Sequence, residues 1–253
     1  MRRAFPFCFL YLWLLSTSQL NAAPVQLRYK VLSQHPHDSK LFTQGLVLYG
    51  NDLWESSGLY KQSFVRRYHA TTGETLVEQK LPGEIFAEGL TLFNNKLYLL
   101  TWRRGILYVL DPNNLRVKQT KKYQGQGWGI THDGAALITS DGSSFLKFRD
   151  PQTFKPLRSV QVTENGTAVN WLNELEFAQQ AVWANRWQSH NIYRIDPLSG
   201  AVTGVLDLSK LVPEPYKNSR ERVLNGIAYD PQKNAFWVTG KNWPVRYFIE
   251  IAP

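Results

Sequence analysis

The sequence predicts an all-β protein, a five-bladed β-propeller whose ring is closed by the N-terminal strand in the last blade. Three observations predict it. One motif recurs five times at spacings of 44, 40, 45 and 52 residues. Each copy carries short strand-like runs punctuated by Gly, Asn and Asp. Helical periodicity is nearly absent. A period of this length belongs to solenoids, propellers or arrays. Four strands per copy make one propeller blade.

The chain opens with a segment that stands outside this pattern. "MRR" is a positive n-region, "AFPFCFLYLWLL" is apolar, and "STSQLNAA" ends in small residues. That is the grammar of a secretory signal peptide over residues 1–23, cleaved near Ala22 or Ala23. The apolar run is too short for a membrane span of about 20 residues. The expected mature chain, 24–253, is one propeller domain exported to the periplasm or the medium. Cys8 is the only cysteine, so the exported chain must be held by its core, without a disulfide.

After the leader comes "QLRYKVLSQ", a strand with no copy of its own. The first copy, "FTQGLVLYGNDLWESSGLYKQS", begins at Phe42. The second, "FAEGLTLFNNKLYLLTWRRG", begins at Phe86. The third is "GWGITHDGAALITSDGSS" from Gly127, the fourth "LNELEFAQQAVWANRWQS" from Leu172, and the fifth "LNGIAYDPQKNAFWVTGKNW" from Leu224. In each, an apolar run reaches a turn, and a second run ends in small or polar residues. A third run leads to a turn such as "DPNN", "DPQT" or "DPLSG", and a more polar fourth run follows. The inner runs are apolar at nearly every position, as suits a sheet covered on both faces. The fifth copy stops after three strands at "YFIEIAP". The N-terminal strand supplies the missing one and removes the ragged edge.

In a propeller, equivalent positions of all inner strands meet at one mouth. Here these are Gln44, Glu88, Trp128, Asn173 and Asn225. The ends of the second strands add Gly58, Tyr60, Trp102, Asp141, Trp187 and Lys241. A purely structural repeat would be content with similar residues at these places. This one supplies a carboxylate, amides, an amine and indoles instead, as a site does. Aromatics in such folds are mostly core, and a lone Glu or Lys is mostly surface, so their joint placement carries the reading. The "VPEPYKNSRERV" stretch before the fifth copy reads as a mobile surface segment at the rim.

Ten motifs occur in order: "FTQGL", "ESSGLY", "EGLTL", "TW", "GWG", "SDGS", "LNELE", "WAN", "LNGIAYD" and "VTGKNWP". Over the whole mature chain they resemble the glutaminyl cyclases (glutaminyl-peptide cyclotransferases) of the plant and bacterial type. The resemblance implies a five-bladed propeller. It implies conversion of N-terminal glutamine of peptides and proteins to pyroglutamate with release of ammonia, without a catalytic zinc or other cofactor. It matches Glu88 to the essential carboxylate, Lys241 to a site lysine suited to the oxyanion, and Asn173 and Gln44 to polar residues that orient substrate. Phe42, Phe86, Trp102, Trp128 and Trp187 match the aromatic lining, from which an indole N–H could also reach the oxyanion. Ala87 departs from the family's more frequent glycine, and its methyl is expected to narrow the pocket.

The residues permit that chemistry. Glu88 in an aromatic surround gains a raised pKa and can act as base, then acid. The alternative is a non-catalytic exported propeller that binds peptide N-termini or glycans. A calcium-dependent lactonase-type hydrolase would need several axial carboxylates, for which Asp141, Glu174 and Glu176 are candidates beside Glu88. No thiol nucleophile, G-x-S-x-G elbow or phosphate loop is present, and the five histidines are dispersed. The mature charge, 27 Lys+Arg against 20 Asp+Glu, reads as a solvated basic surface. No nucleic-acid partner and no membrane span are expected, and a monomer is.

Overall fold

The protein is described by a computed structural model over residues 23–252. The signal-peptide reading, residues 1–23, lies outside the described residues except at Ala23. The architecture is all-β.

The N-terminal strand β1 is Val25–Pro36. The first meander holds β2 (Thr43–Tyr49), β3 (Asp52–Ser57), β4 (Phe64–His69) and β5 (Thr75–Lys80). The second holds β6 (Ala87–Phe93), β7 (Lys96–Thr101), β8 (Ile106–Leu110) and β9 (Val117–Lys122). The third holds β10 (Ile130–His132), β11 (Leu137–Thr139), β12 (Phe145–Arg149) and β13 (Pro156–Gln161). A small hairpin follows, β14 (Thr163–Glu164) and β15 (Thr167–Ala168). The fourth meander holds β16 (Leu172–Ala178), β17 (Ala181–Arg186), β18 (Asn191–Ile195) and β19 (Val202–Asp207). The fifth has three strands, β20 (Leu224–Asp230), β21 (Ala235–Gly240) and β22 (Val245–Ala252).

The turns obey their sequences. Asn94-Asn95 and Gln179-Gln180 both take positive φ at two successive residues, the type I′ geometry that suits a two-residue hairpin. Asn165-Gly166 does the same between β14 and β15. The "NGT" stretch at Asn165 is therefore the tip of a hairpin.

The first three meanders are separate four-stranded antiparallel sheets, and the last two are joined through β1 in one eight-stranded sheet. As expected, β1 pairs antiparallel with the last strand, Tyr29 opposite Ile251 and Val31 opposite Ile249. Its first residues also pair in parallel with β19, Val25 to Leu27 against Gly204 to Leu206. Twelve residues are long enough to serve both neighbours, so β1 covers two edges at once.

The inner strands contact one another in the cyclic order β2, β6, β10, β16, β20 and back to β2. Five apolar clusters lie between consecutive meanders, each drawing residues from both. Leu90 and Val65 share one, Leu107 and Ile130 the next, and Leu146 and Leu175 the third. Trp183 and Ile227 share the fourth, and Leu53 and Trp237 the last. Both faces of the sheets are therefore dry, which explains the continuous apolarity of "GLVLY" and "GLTLF".

The repeated glycine has a steric cause. A Cβ at Gly45 would lie 2.4 Å from Leu90 N, one at Gly89 2.7 Å from Trp128 O, and one at Gly129 2.0 Å from Asn173 O. Inner strands approach backbone to backbone there, as only glycine allows. The fourth meander carries Glu174 at this register. Its buried carboxylate accepts the N–H of Leu46 and of Ile227, tying three inner strands together. Glu176 likewise accepts the N–H of Tyr229. The candidate axial carboxylates are thus engaged with backbone, and Asp141 is paired with Lys147 at 2.6 Å.

A buried polar cluster anchors the seam between the first and fifth meanders. His37 Nδ1 donates to Trp243 O at 2.7 Å, and Nε2 meets Glu55 at 3.0 Å. Thr43 Oγ1 and Tyr68 Oη donate to the same carboxylate at 2.6 and 2.7 Å. Burial alone would raise the Glu55 pKa, but His37 and these donors hold it below its ordinary value. Thr43 directly precedes the site residue Gln44.

Candidate active site

Each site residue on an inner strand sits at a break in the ladder. The pairing register shifts between Thr43 and Gly45, Ala87 and Leu90, Leu172 and Leu175, and Leu224 and Ile227. A bulge re-aims a side chain that regular pleating would bury between sheets. The bulges are braced from the preceding meander. Ser56 Oγ donates to Glu88 O and Ser140 Oγ to Asn173 O, both at 2.6 Å. Gly226 N donates to Asn185 Oδ1 at 3.0 Å. The polar ends of "WESS", "ITS" and "WAN" are these braces.

The re-aimed side chains meet in one cavity of about 250 Å³. It is lined by Phe42, Gln44, Leu59, Phe86, Glu88, Trp102, Trp128, Asn173, Trp187, Glu221 and Lys241. All nine residues singled out from sequence as catalytic or substrate-binding are among them. Leu59 and Glu221 were not foreseen. Asn225 lies beneath, its Nδ2 donating to Thr43 O at 2.9 Å and toward Gln44 Oε1 at 3.4 Å; it positions Gln44. Tyr60 packs on Phe86 with ring centroids 5.4 Å apart. Ala87 is fully buried in the core between the first two meanders. Its methyl does not narrow the cavity, contrary to the expectation from sequence.

The walls are aromatic. Phe86 packs on Trp102 at 5.4 Å and edge-on to Phe42 at 6.3 Å. Trp128 meets Trp187 edge-on at 5.8 Å. Two indole N–H groups are already spoken for, since Trp102 and Trp128 both donate to Gln126 Oε1, at 2.7 and 3.1 Å. One amide oxygen thus fixes two walls. Of the three lining indoles, only Trp187 has no N–H partner among the described residues, which narrows the expectation that any of them could serve an oxyanion.

The polar groups are dry rather than at a wet mouth. Glu88, Lys241 and Asn173 are 4%, 4% and 3% exposed. Burial pushes the Glu88 carboxyl well above its ordinary pKa, opposed only by the charge of Lys241. Burial lowers Lys241 to about 8, with Glu88 and then Glu221 pulling the other way. The Lys241 ammonium stands 4.8 Å from the Phe42 ring. Asn173 Oδ1 is buried with no partner among the described residues, a cost that a donating ligand would relieve. A carboxyl and an amine whose pKa values are driven toward each other can exchange protons with a substrate near neutral pH.

Glu221 comes from the "VPEPYKNSRERV" segment, which is more anchored than its charge suggested. The 3₁₀ turn Ser209–Leu211 just before it buries Leu211, and a second, Glu214–Tyr216, lies within it. Lys241 N donates to Val223 O and Trp243 Nε1 to Arg222 O, both at 2.9 Å. Glu221 is the one residue of "KNSRERV" that lines the cavity, and the excess spacing before the fifth copy was the available signal. Gln126 was legible only as the residue two before Trp128.

Among the described residues no group of three or more His, Cys, Asp and Glu is arranged to hold a metal ion, and no helix is long and apolar enough to cross a membrane.

The family model described as glutamine cyclotransferase matches residues 7–251. The chain is 43% identical over 226 residues to a glutaminyl-peptide cyclotransferase of Arabidopsis thaliana, covering 88% of this chain and 71% of the relative. It superposes on the crystal structure of Myxococcus xanthus glutaminyl cyclase with a TM-score of 0.82 and 35% identity, covering 90% of this chain and 98% of the other. A WD40 β-propeller domain of Doa1 matches at a TM-score of 0.50 and 10% identity, over 81% of this chain and 62% of that one, a likeness of fold alone.

Proposed function

The chain belongs to the glutamine cyclotransferase family, and on that premise we propose that it cyclises the N-terminal glutamine of peptides and proteins to pyroglutamate, with release of ammonia. The reading takes the five meanders as five propeller blades around one axis, with β1 closing the last. It takes the mature chain as a single catalytic domain, monomeric, exported after cleavage near Ala22 or Ala23 to the periplasm or the medium. The observation that carries the function is the joining of buried Glu88, Lys241 and Asn173 in one aromatic cavity of about 250 Å³.

The reaction joins the α-amine nitrogen to the side-chain carboxamide carbon and breaks that carbon's bond to its NH₂ group. The nucleophile is tethered, so much of the entropic cost is already met. The chain must fold the side chain back, move a proton and steady an oxyanion. The aromatic walls, with Gln44 and Asn173, perform the first task. Asn173 Oδ1, which has no partner among the described residues, accepts a hydrogen bond from the incoming amine. An ammonium entering beside Glu88 favours its ionised form. Glu88 then takes one proton from that ammonium, which frees the nitrogen lone pair to attack, and returns it to the departing nitrogen; the second proton shed as the lactam forms leaves with the released ammonia as ammonium. Lys241 faces the charge that develops on the carboxamide oxygen, while Trp187, whose N–H has no partner among the described residues, lines the same cavity.

Incubation of the purified protein with a Gln-Ala peptide, with ammonia read by a coupled assay and the loss of 17 Da by mass spectrometry (a difference fixed by the stoichiometry, about one NH₃), tests the reading. Tight binding of the peptide without ammonia would overturn it in favour of a binding protein.

A further inference from the structure

We infer that Trp171 is the platform for the side chain of the residue that follows the N-terminal glutamine, and that it gives the site a preference for an aromatic or large apolar second residue. The inference rests on the cyclase reading above. A cavity of about 250 Å³ is small for a ligand pocket and holds one folded glutamine. The rest of the peptide must leave along the rim.

Trp171 is at that rim. It stacks on Trp187, centroids 4.8 Å apart and planes at 28°, and Trp187 in turn meets Trp128 edge-on. Three indoles thus run from the cavity wall outward. One face of Trp171 is spent on Trp187, yet the residue stays 43% exposed.

Its backbone is also strained. Trp171 has φ +72°, the left-handed region that bulky residues avoid. The conformation is imposed by two backbone hydrogen bonds of 2.8 Å, Trp171 N to Gly142 O and Trp187 N to Trp171 O. Most other non-glycine residues in this region are Asn or Gln at turns. Of the other bulky ones, Leu115 and Phe154, at φ +58° and +61°, are buried, so packing compensates them, while Leu59, at φ +81°, is half-buried and itself lines the cavity. Trp171 has no such compensation within the free chain. An exposed, strained indole that continues a pocket wall is explained by a ligand that stacks on it.

The test compares kcat/KM for ammonia release from Gln-Phe and Gln-Gly peptides of equal length. The parent is expected to favour Gln-Phe by about three- to tenfold, the range of one aromatic stacking contact. Trp171→Ala should bring the ratio to about one, chiefly through KM for Gln-Phe, while Gln-Gly stays within about twofold of the parent. Trp171→Phe should restore the preference. Trp171→Gly, which suits the positive φ, keeps the test available if the alanine variant folds poorly. A ratio unchanged in these variants, or an equal loss on both peptides, would overturn the inference, the second by making Trp171 a mere prop for Trp187. An active parent with no preference overturns the inference alone. A parent that releases no ammonia from either peptide removes the cyclase reading and the inference with it.

Discussion

Replacing Glu88 by glutamine removes the ability to carry a proton while keeping the size of the side chain. The structure makes this a clean perturbation. In the free enzyme the only influences on the carboxyl are burial and the charge of Lys241, so the substitution breaks no hydrogen bond to another described residue. What it removes is the group that takes the amine proton and returns it to ammonia, and such a group contributes about 10²–10⁴-fold. The aromatic walls, Asn173 and Lys241 remain, so Glu88→Gln should retain substrate binding and lose kcat by that factor. Stability should move the other way. The folded pKa of Glu88 lies above its unfolded value. The stability tied to its neutral form is therefore full below the unfolded pKa, near 4.5, and is lost as pH rises through the folded value. Glutamine has no such loss. The variant should gain on the parent within this window, by on the order of 1 kcal/mol per pH unit. Ammonia release from a Gln-peptide gives the rate, and melting curves at pH 4 and pH 8 give the stability. A folded Glu88→Gln that turns over near the parental rate would refute the proton-shuttle role. A variant less stable than the parent at pH 8 would refute the account of an uncompensated buried carboxyl.

Lys241, lowered to about 8 by burial, is charged below that value and neutral above it. Parental kcat/KM should therefore fall above about pH 8. Lys241→Arg, which keeps its charge, should move that alkaline limb upward, and a limb unchanged in Lys241→Met would exclude the ammonium from the reaction. Activity should survive exhaustive chelation, because the cavity offers only two carboxylates and neither His nor Cys; loss that zinc restores would contradict this. Deleting residues 24–33 should strip both the β22 and β19 edges that β1 covers and cost more than about 3 kcal/mol by denaturant melting. A deletion that melts like the parent would show that those pairings contribute little.

The sequence by itself determined the repeat, the strand grammar and the register of the site. Its fivefold period placed Gln44, Glu88, Trp128 and Asn173 at equivalent points, and equivalent points of a ring converge. Turn residues were equally legible, because Asn-Asn and Asn-Gly encode their backbone angles locally. Tertiary structure decided what depends on neighbours distant in sequence. The environment of Glu88 is dry because aromatic residues from four meanders close over it, so its pKa is a property of the assembled ring. Glu221 reaches the cavity only because Val212, Val223 and the Lys241 backbone anchor its loop. Gly45, Gly89 and Gly129, each beside a residue of the inner-strand register, owe their identity to a backbone in the next meander some 40 residues on. Glu174 looked like a candidate ligand until two remote N–H groups claimed it. Local propensity and periodicity are written along the chain, whereas burial, charge coupling and exposed strain such as that of Trp171 exist only once the meanders meet.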